Sequence, residues 1–139
     1  MKYETSCGAV VFTKENQAIK YLLIQNKEGI YGFPKGHMEG TESERETALR
    51  EVFEETHVNV TLLDGFRTVD EHPIPQKENT IKQIIYFLGF FENQKIIYQE
   101  EELSSACLVS YAEAMNLFSI RKFKTHSRRG TPVFDGISL

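Results

Sequence analysis

Apolar positions along the chain fall into short runs divided by polar and glycine-bearing segments. "SCGAVVFT" and "IKYLLIQ" are rich in β-branched and aromatic residues and read as strands, with the polar "KENQA" between them as a hairpin loop. "NKEGIYGFPKGHMEG" reads as a glycine-punctuated loop in which Pro34 biases Phe33 towards an extended backbone. A helix follows: Thr41 or Ser43 can cap it, and each has a glutamate three residues on, Glu44 or Glu46. "VNVTLLDGFRTVDEH" reads as extended chain bent at Gly65, "PIPQKEN" as a loop, and "IKQIIYFLGFFEN" as the strongest strand. "QEEELS" is a polar connection, "ACLVS" a short strand and "YAEAMNLF" a second helix. Strands, helix, strands, helix, without regular βαβ alternation, predict an α+β sandwich over a mixed sheet.

The first helix has an unusual polar face. Residues 36–58, "GHMEGTESERETALREVFEETHV", carry seven acidic side chains. With each residue turning the helix by about 100°, Ala48, Leu49, Val52 and Phe53 form one apolar stripe of ordinary width, the expected core face. Glu51, Glu54 and Glu55 fall together on the adjacent arc, and Arg50 lies just beyond them. A solvated acidic face is the common reason for such a pattern. Here, however, the carboxylates cluster at the edge of the apolar stripe, where another element can cover them. Crowded carboxylates in that position need protonation or a counter-charge. A hard divalent cation supplies one, and Mg²⁺ prefers a few carboxylates together with waters and phosphates.

Composition adds boundaries. At 139 residues, 40% apolar and 26% charged, the chain is expected to form one globular domain over residues 1–139. A net charge of −4 argues against a stable nucleic-acid partner. It leaves room for small phosphorylated ligands, because a metal reverses the local field. Cys7 and Cys107 both lie in apolar surroundings and are expected to be free thiols, which fits a reducing cytoplasm. "MKYETSCGAV" lacks a secretory apolar region, and "IIYFLGFF" is far too short to span a bilayer, so a cytoplasmic protein without membrane attachment is expected. No P-loop, GxSxG or zinc-type spacing occurs. Lys35, in "FPKGH", is either a solvated cation or a phosphate contact beside a metal. His37, His57, His72 and His126 read individually as structural or exposed.

As spacing, residues 36–58 are Gly36, five residues, Glu42, seven residues, Arg50-Glu51-Val52, one residue, Glu54-Glu55, one residue, His57-Val58. This closely resembles the signature GX5EX7REUXEEXGU of the Nudix (MutT-like) hydrolases, with His57 in place of its last glycine. A helix end at that position favours glycine, so replacing His57 by glycine is expected to leave the chemistry intact. "GAVVF", "YLLIQ", "GIYGFPKGH", "DGF" and "IIYFLGFF" extend the resemblance to the asymmetrically cleaving diadenosine tetraphosphate hydrolases, over roughly residues 5–118.

The resemblance implies a Nudix-type α/β/α sandwich with a mixed β-sheet and the Nudix helix packed beside it. It implies catalytic roles for Arg50, Glu51, Glu54 and Glu55. Metal ligands would come from Gly36, through its carbonyl, and from Glu51, Glu54, Glu55 and Glu102, the cofactor being Mg²⁺ with Mn²⁺ as a substitute. Lys35, His37, Lys82 and Tyr86 would bind substrate, Lys82 at phosphate and Tyr86 on a base. For Tyr86, plain core packing is the competing reading. Tyr31 and Leu108 stand where these hydrolases often carry other aromatic residues. The implied activity is hydrolysis of nucleoside diphosphates linked to another group, above all dinucleoside polyphosphates, by water attack on a phosphorus. Alternatives are nucleoside triphosphate or RNA 5′-end pyrophosphohydrolysis and a non-catalytic ligand-binding domain. The implied partner is a small-molecule nucleotide, with the protein a monomer or homodimer. The tail "IRKFKTHSRRG" reads as a solvated helix end or as an electrostatic lure for polyanions.

Overall fold

A computed structural model describes residues 1–119, so the basic tail lies outside the described residues. Strands β1 (Lys2–Glu15) and β2 (Ala18–Asn26) form the expected hairpin. Its two connecting residues, Asn16 and Gln17, both take positive φ, as a two-residue turn matched to strand twist requires. The glycine-rich segment is more ordered than its sequence suggests and contains two very short strands, β3 (Tyr31–Gly32) and β4 (Lys35–His37). Helix α1 (Glu44–Thr56) follows, then β5 (Thr61–Pro73), β6 (Thr80–Phe90), β7 (Leu103–Val109) and α2 (Tyr111–Ser119). The strands join in one mixed sheet along the path β3-β2-β1-β6-β5, with β4 on β1 and β7 on β2.

Strand β1 organises the sheet. It runs parallel to β6 from Lys2 to Phe12. On its other edge it pairs with β4 at Ser6–Gly8 and with β2 from Val11 to Glu15. The β4 contact depends on Gly8, where a Cβ would stand 2.0 Å from the carbonyl oxygen of Pro34. Alternation along β1 then separates two apolar layers. Cys7, Ala9 and Val11 face α1 with Ala48, Val52, Ile85 and Phe87. Val10 and Phe12 face α2 with Tyr21, Leu23, Phe33 and Ala114. Helices therefore cover both faces of a mixed sheet, as expected. No helix among the described residues is long and apolar enough to cross a membrane. Cys7 and Cys107 are free, and burial pushes the Cys7 thiol up to about 11.

Ser43, rather than Thr41, caps α1. Its hydroxyl accepts from the Glu46 amide at 3.1 Å, and its own amide donates back to the Glu46 carboxylate at 2.8 Å. Arg67 on β5 grips Glu44 with two hydrogen bonds of 2.9 and 3.0 Å, fixing the start of the helix against the sheet. The helix sits rotated from the expected apolar stripe. Ala48 and Val52 are buried, but Leu49 and Phe53 are 39% and 40% exposed, while Thr47, Glu55 and Thr56 are buried in their stead. Small side chains let the helix lie close to Cys7 and Ala9, and that approach turns the Glu51–Glu55 edge inward towards β4.

Candidate active site

Three elements deliver the charged residues: β4 brings Lys35, Gly36 and His37; α1 brings Arg50, Glu51, Glu54 and Glu55; the segment before β7 brings Glu102. Arg50 is the hub. Its guanidinium donates to both oxygens of Glu42 (2.5 and 3.0 Å), to Glu51 (3.0 Å), to Glu54 (3.2 Å) and to the His37 carbonyl (2.9 Å). The Arg50 bonds, with Thr47 and the Glu39 amide assisting, hold the Glu42 carboxyl down at about 2. Glu42 is thus a permanent counter-ion that locks Arg50, leaving one guanidinium nitrogen to align Glu51 and Glu54.

Glu55 is the outlier. Burial, then the charge of Glu51, pushes its carboxyl up to about 8, against the opposing pull of the Lys35 charge and backbone amide; Glu102 adds to the rise. Its Oε1 is buried without a hydrogen-bond partner. Burial also raises Glu51, with Arg50 opposing. The carboxyl group of Glu51 lies against the backbone of β4: a Cβ on Gly36 would stand 2.1 Å from its carboxyl carbon. Among the described residues no three His, Cys, Asp or Glu groups form a ready-made metal cage, since Glu51 and Glu54 are turned onto Arg50. An orphaned buried carboxylate oxygen beside a second raised carboxyl nonetheless fits a divalent cation, whose charge would satisfy both. Gly36→Ala should leave the melting temperature nearly unchanged, because the Glu51 carboxylate can swing aside. Turnover should fall by about 10- to 100-fold, the usual cost of a small misplacement at a reacting centre. Parallel thermal melts and rate measurements decide this, and full activity would remove Glu51 from the site.

On β6, Lys82 and Tyr86 share a face, as their four-residue spacing predicts. The Lys82 ammonium donates to Ser6 Oγ at 3.0 Å, and burial, then the charge of Lys35, lowers it. Tyr86 packs edge-on to Phe33 with ring centroids 5.8 Å apart. Burial, then the charges of Glu55 and Asp70, raises its hydroxyl. The charge of Lys35 thus acts on both Glu55 and Lys82, and Tyr86 packs in the aromatic cluster within reach of the charge of Glu55. His37 contributes its carbonyl to Arg50, while its side chain is exposed. Sequence reasoning missed Ser6, a nearly fully buried hydroxyl that holds Lys82. Nothing in "TSCGAV" distinguishes it from an ordinary strand serine.

The glutamate-rich helix α1 thus packs beside Lys35 of β4 on a mixed sheet between helices, and the family and relatives that the chain matches make it an enzyme of the pyrophosphohydrolase class. Residues 2–132 match the family described as NUDIX domain, and the chain belongs to that family. It is 30% identical over 137 residues to the asymmetrical bis(5'-nucleosyl)-tetraphosphatase of Mus musculus, covering 90% of this chain and 91% of that one. With the enzyme of the same description from Sus scrofa it is 36% identical over 95 residues, covering 60% and 63%. The fold is that of a C. elegans Ap4A hydrolase in a binary complex, with a TM-score of 0.75 at 21% identity over 84% of this chain and 86% of that one.

Proposed function

We propose that the protein is a Mg²⁺-dependent hydrolase of dinucleoside polyphosphates, diadenosine tetraphosphate among them, with Mn²⁺ able to replace Mg²⁺. The carrying observation is Glu55: a buried carboxyl held up at about 8, with an orphaned oxygen, across from Lys35. Similarity to the mouse tetraphosphatase over nearly its whole length supports the substrate class. In this reading residues 1–139 form one hydrolase domain acting in the cytoplasm on a small-molecule nucleotide, as a monomer or homodimer.

Glu51, Glu54, Glu55, Glu102 and the carbonyl of Gly36 would hold the metal. When bound, the metal withdraws charge from the anhydride oxygens and makes an attacking water more acidic. Arg50 orients Glu51, which takes the proton of that water. Lys35, His37 and Lys82 hold the phosphate chain, and Tyr86 stacks on a base. Water forms a new P–O bond, the bridging P–O bond breaks, and the bridging oxygen leaves with the other nucleotide. Incubating the protein with Mg²⁺ and a panel of dinucleoside polyphosphates, nucleoside triphosphates and nucleotide sugars tests the reading. Dinucleoside polyphosphates should be cleaved fastest, to products with unequal numbers of phosphates. Preference for triphosphates would overturn it.

The two β6 residues should separate by pattern. Lys82→Ala should slow every polyphosphate, since a cation beside the phosphate chain acts whatever the nucleoside. Tyr86→Ala should cost about 1–3 kcal/mol on substrates with a base, the usual size of base–aromatic stacking, and little on inorganic polyphosphate. Equal losses on both substrates would make Tyr86 a packing residue alone.

A further inference from the structure

We infer that His57 is a positioning residue that pins the segment from Ile97 to Glu102 onto the C-terminal end of α1 and thereby sets where Glu102 stands beside Glu55. The inference rests on the proposed metal site and concerns a residue that its reaction scheme leaves unused. Helix α1 ends at His57 with φ 61° and ψ 22°, and its amide closes onto the Phe53 carbonyl at 2.7 Å. This left-handed conformation suits glycine best, and histidine adopts it less readily. Its ring lies 5.1 Å from that of Phe53. Its Nδ1 lies 3.3 Å from the carbonyl oxygen of Ile97, 40 residues further along the chain. A carbonyl only accepts, so Nδ1 carries the hydrogen and donates.

That bond is the first in a connected series. The Ile97 amide donates to the Thr56 carbonyl at 3.0 Å, and the Gln99 amide donates to the Glu55 carbonyl at 3.1 Å. Both carbonyls belong to the last turn of α1, which a helix leaves without internal partners. The amides of Glu102 and Leu103 then both donate to the Gln99 carbonyl, at 3.3 and 3.0 Å, closing the turn that presents Glu102 and starts β7. Through Gln99, which bonds the Glu55 carbonyl on one side and the Glu102 amide on the other, the backbone of Glu102 is tied to the helix end that carries Glu55. The motif pattern, which admits glycine at position 57, does not show Ile97. Glycine would relieve the backbone and release one of the three ties between helix end and segment.

Stability and metal binding should therefore move in opposite directions. In the full chain, His57→Gly should keep or raise the melting temperature in a chelator, and the Ile97 and Gln99 amides should exchange faster with solvent. Its dissociation constant for Mn²⁺, read by electron paramagnetic resonance, should rise about 2- to 10-fold, the size of one hydrogen bond. In a Glu102→Gln background the same substitution should change Mn²⁺ affinity no further. Unaltered affinity in His57→Gly, or the same loss with and without Glu102, overturns the inference. A wild-type chain that binds Mn²⁺ but cleaves no dinucleoside polyphosphate fails the proposed substrate and leaves this test valid; one that binds no Mn²⁺ overturns both.

Discussion

Glu55→Gln should abolish most turnover while leaving the metal-free protein as stable as the wild type or more so. The substitution preserves shape and removes the one carboxyl that burial, and then its neighbour Glu51, forces up to about 8. Without metal, glutamine escapes the cost of ionising inside the site, and its amide is neutral at every pH. With metal, the same substitution deletes an anionic ligand, and turnover should drop by orders of magnitude because the stabilisation of transferred charge depends on that ion. Glu54→Gln should lose turnover comparably with the opposite stability sign. Its carboxylate is half-exposed and pairs with Arg50 at 3.2 Å, one turn back along the helix, so its loss costs about 0.3–0.5 kcal/mol. Rates under saturating Mg²⁺ and melts in chelator separate the two variants. Near-wild-type turnover in both would end the metal-site reading.

The α1 rotation explains why Glu55 and Glu54 differ, and it marks where sequence reasoning stops. A capping box at Thr41 or Ser43, a hairpin within "KENQA" and the shared face of Lys82 and Tyr86 are local patterns that spacing predicts, whereas the choice of Ser43 and the two-residue Asn16-Gln17 turn come from the fold. The choice between Leu49 and Glu55 as the buried residue is not local. It depends on how closely Thr47, Ala48 and Thr56 let the helix approach β1, and the helical wheel, which favours Leu49 and Phe53, carries no such distance. β3 and β4 are too short to show a period, and each is a strand only through its pairing with β2 or β1. The parallel pairing of β1 with β6, more than 70 residues apart in sequence, and the tie from His57 to Ile97 are likewise products of topology. The motif therefore names the glutamates but not their unequal environments.

Those environments set a pH dependence of stability with a sign unusual for carboxylates. Glu55 has its folded-state carboxyl raised from an ordinary 4.5 to about 8. Between these values the folded chain binds a proton that the unfolded chain has released. Its contribution is fully present below pH 4.5 and is lost as pH rises through about 8, and the raised Glu51 acts in the same direction. Glu42, held at about 2 by Arg50, works the other way. Its contribution is present above 4.5 and lost only as pH falls towards 2. The two windows do not overlap, so the metal-free protein should be most stable near pH 5 and weaken towards pH 8, by on the order of 3–4 kcal/mol from Glu55 alone. Added Mg²⁺ should reverse the trend, because metal binding displaces the proton and so strengthens as pH rises. Urea unfolding at pH 5, 6.5 and 8, in chelator and in Mg²⁺, makes the comparison. In chelator the midpoint should fall with pH and the Mg²⁺-induced gain should grow, and Glu55→Gln should flatten both slopes. A chelated protein that becomes more stable from pH 5 to pH 8 would show that Glu55 is ionised in the folded state without any metal.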